Sequence, residues 1–446
     1  MSEPAYQALY TELLAKSRYN DIPDSPAARA TLRALIDQTR SDLRNCSESI
    51  TRRQISRVLE LQESLLAPIR TLFPEILIEI FQLVIETSTN PGITYISRLR
   101  WHVPISAFVP KLSGCIFLFT WTCSWWRHAA ISYPSFWSRI RVQHRSDPLP
   151  TRSAEVAAFL NECILRSGVS APMSIDIYSV TDGSPPAVST MLAAQAYRWR
   201  QAVLLFTSLH SLVIMFPSKP SSTRFPLLED LSCRFYYTDS RILPVPNPIL
   251  ECRPPLQKLE LHELMESYAD IIASRNLKFL KVGCYSGVSF AKLLLMCPCL
   301  ESLQVGSFVF REDPDANQAI CQSSLLSFAI GPDFSDDYPT FDNGSWKCVT
   351  LPKLTKLEVN HFDLYYKIWT ALLSELKEVV KRSQCTLRHV NLFKHGRWPV
   401  LETAENFLQD LLVNPEECFV DEVPWQEWKA NNAVVAYESD SDDSEW

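Results

Sequence analysis

Apolar positions in the first part of the chain recur at helical spacing. Ser25-Pro26 reads as a helix start, because the serine caps free amides and the proline sits where no amide partner is needed. Leu32, Ile36, Thr39, Leu43, Cys46 and Ile50 then alternate at spacings of four and three, a short heptad-like seam. A second helical stretch carries Ile55, Val58, Leu59, Leu65 and Leu66 and ends at Pro68. Pro74 opens another helix. Glu75 stands in its first turn, where the helix dipole favours negative charge, and Ile76, Leu77, Ile80, Phe81 and Val84 share one face. Residues 86–111 hold Asn-Pro-Gly, Pro104 and Pro110 and read as a loop-rich insertion. Helical character resumes near Leu112 and runs to about Ala130, and Pro134 and Trp137 form a short third element.

Beyond residue 150 the period changes. Residues 153–166 read as a helix, and Met173, Ile175 and Ile177 alternate as a strand does. A pattern apolar-x-x-apolar-x-apolar then recurs. It stands at Leu209/Leu212/Ile214, Leu228/Leu231/Cys233, Leu256/Leu259/Leu261 and Leu277/Leu280/Val282, then at Leu300/Leu303/Val305, Leu325/Phe328/Ile330, Leu354/Leu357/Val359 and Leu387/Val390/Leu392. The starts lie 19, 28, 21, 23, 25, 29 and 33 residues apart. The shorter gaps match leucine-rich repeats of about 20–29 residues; the longer ones need insertions, of which Asp333–Lys347 is one. One strand-plus-helix unit cannot bury its apolar face alone, whereas stacked units bury it against each other. Phe290, Leu293, Leu294, Leu295 and Met296 supply a packing helix between two triplets.

Composition removes several classes of function. The chain has 446 residues, too many for one core, and a formal net charge of -7, which does not suit a phosphate backbone as partner. The basic stretch Arg139–Arg145 reads as a solvated edge or linker. Thirteen scattered cysteines do not make a secreted disulfide framework and fit reduced, buried thiols of a cytoplasmic or nuclear protein. The start MSEPAYQALYTELLAKS lacks the basic and apolar regions of a signal peptide, and the run Leu112–Trp126 is too short and interrupted for a membrane span. No nucleotide loop of the Walker or G-x-G-x-x-G kind occurs. His262-Glu263 lacks a second histidine at metalloprotease spacing, and Cys284, Cys297, Cys299 and Cys321 lack C-x-x-C pairs. The chain therefore reads as a binding protein with no enzymatic chemistry, no cofactor and no metal. The acidic, serine-rich tail 437–446 is expected to be disordered.

Three segments resemble the F-box-like proteins abundant in mushroom-forming fungi. Residues 65–81, LLAPIRTLFPEILIEIF, are similar to the family's LLxPIRRLPPEILxEIF; Cys123-Ser-Trp-Trp-Arg127 is similar to VCxxWR; Ala130-Ile-Ser-Tyr-Pro-Ser-Phe-Trp137 is similar to ALxxPxLW. The preceding helices and the leucine-rich region after them also look like the family. The sequence departs from it at Phe73, where a first proline is usual, at Trp125, and in the lengthened connection 86–111.

The resemblance implies an α+β multidomain chain. A helical, coiled-coil-like segment (1–67) precedes a three-helix F-box-like module (68–142, with the insertion 86–111). An irregular α/β leucine-rich-repeat solenoid with a parallel sheet (143–396), a C-terminal cap (397–436) and the tail (437–446) follow. It also implies docking on a Skp-type adaptor, and through it a cullin, by Leu72, Pro74, Ile76, Leu77, Ile80, Phe81, Cys123, Trp126, Arg127, Pro134 and Trp137. The repeats would then select an unknown protein target for ubiquitination, with neither nucleic acid nor membrane involved. The alternative is a leucine-rich scaffold with a degenerate F-box. Residues alternating with the buried apolar ones point away from the core. Met215, Lys258, Glu260, His262, Phe279, Lys281, Gln304, Lys356, Glu358, His389, Asn391 and Phe393 are accordingly expected on one concave, target-binding face.

Overall fold

The structure is a computed structural model. It describes residues 3–88, 92–97, 111–144, 150–179, 187–207, 209–216, 224–235, 247–265, 272, 276–287, 290–310, 319–331, 348–361, 366–394, 407–408, 418–420 and 422–428. The fold is α+β, with a helical N-terminal region and a large, mostly parallel sheet. The chain divides into two units, residues 1–176 and 177–446.

The first unit begins with helices α1 (Glu3–Tyr19), α2 (Pro26–Asn45) and α3 (Ser49–Leu65). Ser25 caps α2 as its sequence implies, its hydroxyl accepting from the Ala28 amide at 3.1 Å. Helix α2 stops at Asn45, so the seam is shorter than its spacing suggested, and Ile50 is exposed. Tyr6 and Leu13 of α1 pack with Ile55, Val58 and Leu65 of α3, flanked by Leu32 and Leu43 of α2. The Tyr6 hydroxyl donates to the Asp42 carboxylate; burial first, then this bond, push the phenol above its usual range. Gln62 lies on the same stripe of α3, between Val58 and Leu65. It is wholly buried, and among the described residues neither of its amide atoms has a hydrogen-bond partner. Such burial costs about 1–3 kcal/mol by mutational measures.

A 3-10 turn, Pro68–Thr71, leads into α4 (Pro74–Thr87). The single helix expected over 112–130 is two, α5 (Cys115–Thr122) and α6 (Ser124–Ile131). Cys123 is extended at the break, and its sulfur accepts from the Trp126 amide at 3.5 Å, a cap the sequence did not advertise. The expected insertion is not all loop. Strand β1 (Ile93–Ser97) pairs antiparallel with β2 (Lys111–Ser113) and parallel with β3 (Arg139–His144); residues 98–110 lie outside the described ones. The basic stretch thus forms a strand with Ile140 and Val142 buried, rather than a linker. At its start the backbones approach closely, since a Cβ on Gly92 would stand 2.4 Å from the Arg139 carbonyl oxygen.

Helix α7 (Pro150–Arg166) and strand β4 (Met173–Ser179) follow. Within the first unit, residues 137–141 are tied to residues 166–176. The Arg166 guanidinium stacks 4.8 Å over Trp137, the Ser174 amide donates to the Ser138 carbonyl at 2.9 Å, and Arg141 pairs with Asp176 at 2.8 Å.

The second unit holds α8 (Ala187–Ala193), β5 (Trp199–Phe206), α9 (Leu209–Met215), β6 (Asp230–Phe235), β7 (Lys258–Met265), β8 (Phe279–Gly287) and α10 (Phe290–Met296). Then come β9 (Ser302–Phe310), β10 (Ile320–Cys321), β11 (Ser327–Ile330), β12 (Val349–Thr350), β13 (Lys356–His361), α11 (Tyr366–Ser383), β14 (His389–Lys394), β15 (Cys418–Val420) and β16 (Val423–Pro424). Strands β5, β6, β7, β8, β9, β11, β13, β14 and β15 pair in that order, each parallel to the next. The register aligns the triplets into columns: Leu231, Leu259, Leu280, Leu303, Phe328, Leu357 and Val390 are neighbours across the sheet, and all are buried. Just before most strands one carbonyl accepts two amides of the following repeat. Glu229 takes Gln257 and Lys258, Gln257 takes Lys278 and Phe279, and Lys278 takes Glu301 and Ser302.

The first triplet is a correction. Leu209, Leu212 and Ile214 lie in α9, because spacings of three and two also suit one turn and a half of helix. Its place in the sheet is taken by Trp199/Ala202/Leu204, whose Ala202 and Leu204 pair with Leu231 and Cys233. Strands β10 and β12 form a separate parallel pair. At the C-terminal end β16 turns back antiparallel to β15, and Trp425 stacks on Trp428 at 5.4 Å. The expected insertion 333–347 and tail 437–446 lie outside the described residues.

Candidate functional site

Two surfaces carry the residues singled out from the sequence. The first lies on the first unit. Pro74 starts α4, and the residue before it, Phe73, offers no side-chain cap. Leu77, Phe81 and Ile85 recur every fourth position and are buried. Phe81 stacks on Phe119 with ring centroids 4.0 Å apart and meets Trp126 at 5.1 Å and Phe136 at 6.2 Å. A helix covered on one side commonly carries an apolar arc of about 100°. Helix α4 carries more. Phe73 is 74% exposed, Ile76 48% and Leu83 62%, Val84 is exposed too, and Ile80 is half-buried. On α5, Leu118 and Trp121 are also exposed, while Phe117 and Phe119 of the same helix are buried.

The adaptor set therefore divides. Leu77, Phe81, Cys123 and Trp137 are buried within the unit, where they pack the helices together. The Trp137 indole N–H donates to the Ala130 carbonyl at 2.9 Å, and Phe136, which sequence reasoning passed over, contributes a ring 6.2 Å from Phe81. Trp126 is half-buried against Phe81 and Phe119. Arg127 is exposed, and its Nε donates to the Thr120 carbonyl at 2.8 Å, tying the end of α5 to α6. Ile76 and Pro134 are exposed, and Leu72, Pro74 and Ile80 are half-buried. Phe73, Leu83 and Trp121 were missed. Their signal was an apolar arc wider than one covered face requires.

The second surface is the side of the sheet opposite the buried columns. Across neighbouring strands it presents Asp230, Lys258, Phe279, Ser302, Ser327, Lys356 and His389 in one row and Ser232, Glu260, Lys281, Gln304, Ala329, Glu358 and Asn391 in the next. Several charges there are cross-strand paired, while Lys356 pairs with Glu358 of its own strand at 2.7 Å. Glu260 accepts from Arg234 and, at 3.1 Å, from the Ser232 hydroxyl, and stands 3.4 Å from Lys281. Burial alone would raise the Glu260 carboxyl, but Arg234, Lys281 and Ser232 outweigh it and hold the group below its usual range. Burial raises Asp230, and Lys258 at 3.5 Å offsets this only in part. Lys258 also lies 5.6 Å over the half-buried Phe279 ring.

Lys258 is exposed, and Glu260, His262, Phe279, Lys281, Gln304, Lys356, Glu358 and His389 are half-buried there. Two assignments fail. Met215 is buried in α9, because its triplet is helical and the strand alternation does not apply. Asn391 is 3% exposed, beside Phe419 of β15, and its side-chain oxygen has no partner among the described residues. The side chain of Phe393 lies outside the described ones. Arg234 and Ser232, which complete the Glu260 cluster, were legible from the same alternation and were not taken up.

Among the described residues no group of three or more His, Cys, Asp or Glu could hold a metal ion, and no helix is long and apolar enough to cross a membrane. Comparison with family models and with curated proteins gives no match.

Proposed function

We propose that this chain is a non-catalytic substrate-recognition subunit of a cullin-RING ubiquitin ligase. Residues 68–142 act as an F-box-like module that docks a Skp-type adaptor, and the leucine-rich repeats hold a target protein, in the cytoplasm or nucleus. The mechanism is proximity: the target is held near another subunit's active site.

The observation that carries this reading is the uncovered apolar stripe of Phe73, just before α4, and Ile76 and Leu83 on it. Phe73 and Ile76 fall on the segment 65–81 that resembles the F-box motif and Leu83 lies just beyond it, and exposed apolar patches of this kind mark interaction sites. Purified full-length chain and a Skp-type adaptor should bind by calorimetry, and Phe73→Asp with Ile76→Asp should lose at least about 2 kcal/mol of affinity with an unchanged circular dichroism spectrum. If the wild-type chain does not bind the adaptor, the leucine-rich scaffold with a degenerate F-box becomes the better reading.

A further inference from the structure

The docking helix is held by a residue outside it. Arg70, in the turn before α4, is 7% exposed, yet no carboxylate pairs with it among the described residues. Its guanidinium is satisfied by neutral groups from two helices. Nη1 donates to the Ser17 carbonyl at 2.9 Å and to Asn20 Oδ1 at 3.2 Å; Nη2 donates to Ser17 Oγ at 2.7 Å and Ser64 Oγ at 2.8 Å; Nε donates to Ser64 Oγ at 3.2 Å. Asn20 closes the ring of contacts by donating back to the Arg70 carbonyl at 3.3 Å. It does so from a left-handed backbone, φ 54°, which asparagine tolerates better than most residues. The end of α1, the end of α3 and the turn that launches α4 are thus joined at one side chain.

Helix α4 needs that anchor. Phe73 gives it no side-chain cap, so the start of the helix is set by Pro74 and by the turn Pro68–Thr71. The exposed residues Phe73 and Ile76 stand three and six positions beyond Arg70. An opposing element lies on α3. Gln62 is buried with no partner for either amide atom among the described residues, on the stripe of α3 where Tyr6 and Leu13 pack, so the closed bundle carries a penalty that opening it relieves. Many hydrogen bonds at Arg70 hold α1 down, and Gln62 works against them.

We propose that α1 is a releasable strap and that Arg70 is the positioning residue through which it sets the docking helix: with α1 seated, the edge carrying Phe73 and Ile76 is ordered for a partner, and with α1 lifted it is not. This rests on the docking role proposed above, and two readouts separate the two ideas. Hydrogen exchange on the full-length chain is compared for wild type, Arg70→Met, Ser17→Ala and Gln62→Leu. In R70M, amides of α1 and of residues 71–77 should exchange faster together, by about tenfold or more, with the second unit unchanged. S17A should move both segments in the same direction by less, and Q62L should slow α1. Affinity for a Skp-type adaptor should fall about tenfold in R70M. Loss of protection in α1 with residues 71–77 unmoved would overturn the coupling, as would faster exchange of α1 in Q62L. If R70M does not fold, S17A and Q62L decide by the same criteria. Absence of adaptor binding by the wild type would remove the docking role and leave the exchange result to judge the strap alone.

Discussion

Two neighbouring carboxylates on the sheet respond to pH in opposite senses. Glu260 is held below its usual range in the folded chain, so its contribution is present above the unfolded value of about 4.3 and is lost as pH falls through the folded value. Asp230 is held above its usual range, so its contribution is present below about 3.9 and is lost as pH rises through the folded value. Glu260→Gln should therefore cost about 1–3 kcal/mol at neutral pH, shrinking on acidification, because a charge-assisted cluster with Arg234 and Lys281 is lost. Asp230→Asn should leave neutral-pH stability unchanged or slightly raised. Urea denaturation at about pH 7 and pH 4 checks both, and a Glu260→Gln loss that stayed constant across the range would contradict the assignment.

At the scale of the element, α4 separates packing from presentation within fourteen residues. Phe81→Ala should cost about 3–5 kcal/mol in thermal or chemical unfolding, because it empties the space among Phe119, Trp126 and Phe136. Leu83→Asp should stay within about 0.5 kcal/mol of wild type, because its side chain is already in water. The period of α4 was legible in the sequence, as were strands β6, β7, β8, β9, β11, β13 and β14, since apolar spacing is what burial selects. What the spacing could not separate was position within an apolar arc: Ile76 and Leu77 are adjacent and alike, yet one is exposed and the other sealed. The break at Cys123 was hidden because a thiol is an unusual helix cap, and α1 because its apolar Tyr6, Leu9, Tyr10 and Leu13 are set among small and polar residues. Met215 was misplaced because a single triplet serves a helix as well as a strand.

At the scale of the second unit, stability is close to a sum over neighbours, since each strand pairs only with the next. Leu303→Ala, in the middle of a buried column between Leu280 and Phe328, should cost about 2–5 kcal/mol. Amide exchange should show protection falling first in β8, β9 and β11, while β14 and β15 respond less. Uniform loss along the whole sheet would mean that the unit unfolds as one block. A stack of this kind has a hazard at its last member, where unpaired amides and carbonyls are a template for another chain. Here the last member reverses direction, and Pro424 has no amide to donate. In the language of polymer growth, β16 is a terminator: a second molecule arriving as one more parallel rung meets reversed polarity and a missing donor. Replacing Pro424 with valine and deleting the turn that reverses β16 should convert a closed end into a growing one, seen as concentration-dependent scattering in a chain whose fold is otherwise unchanged.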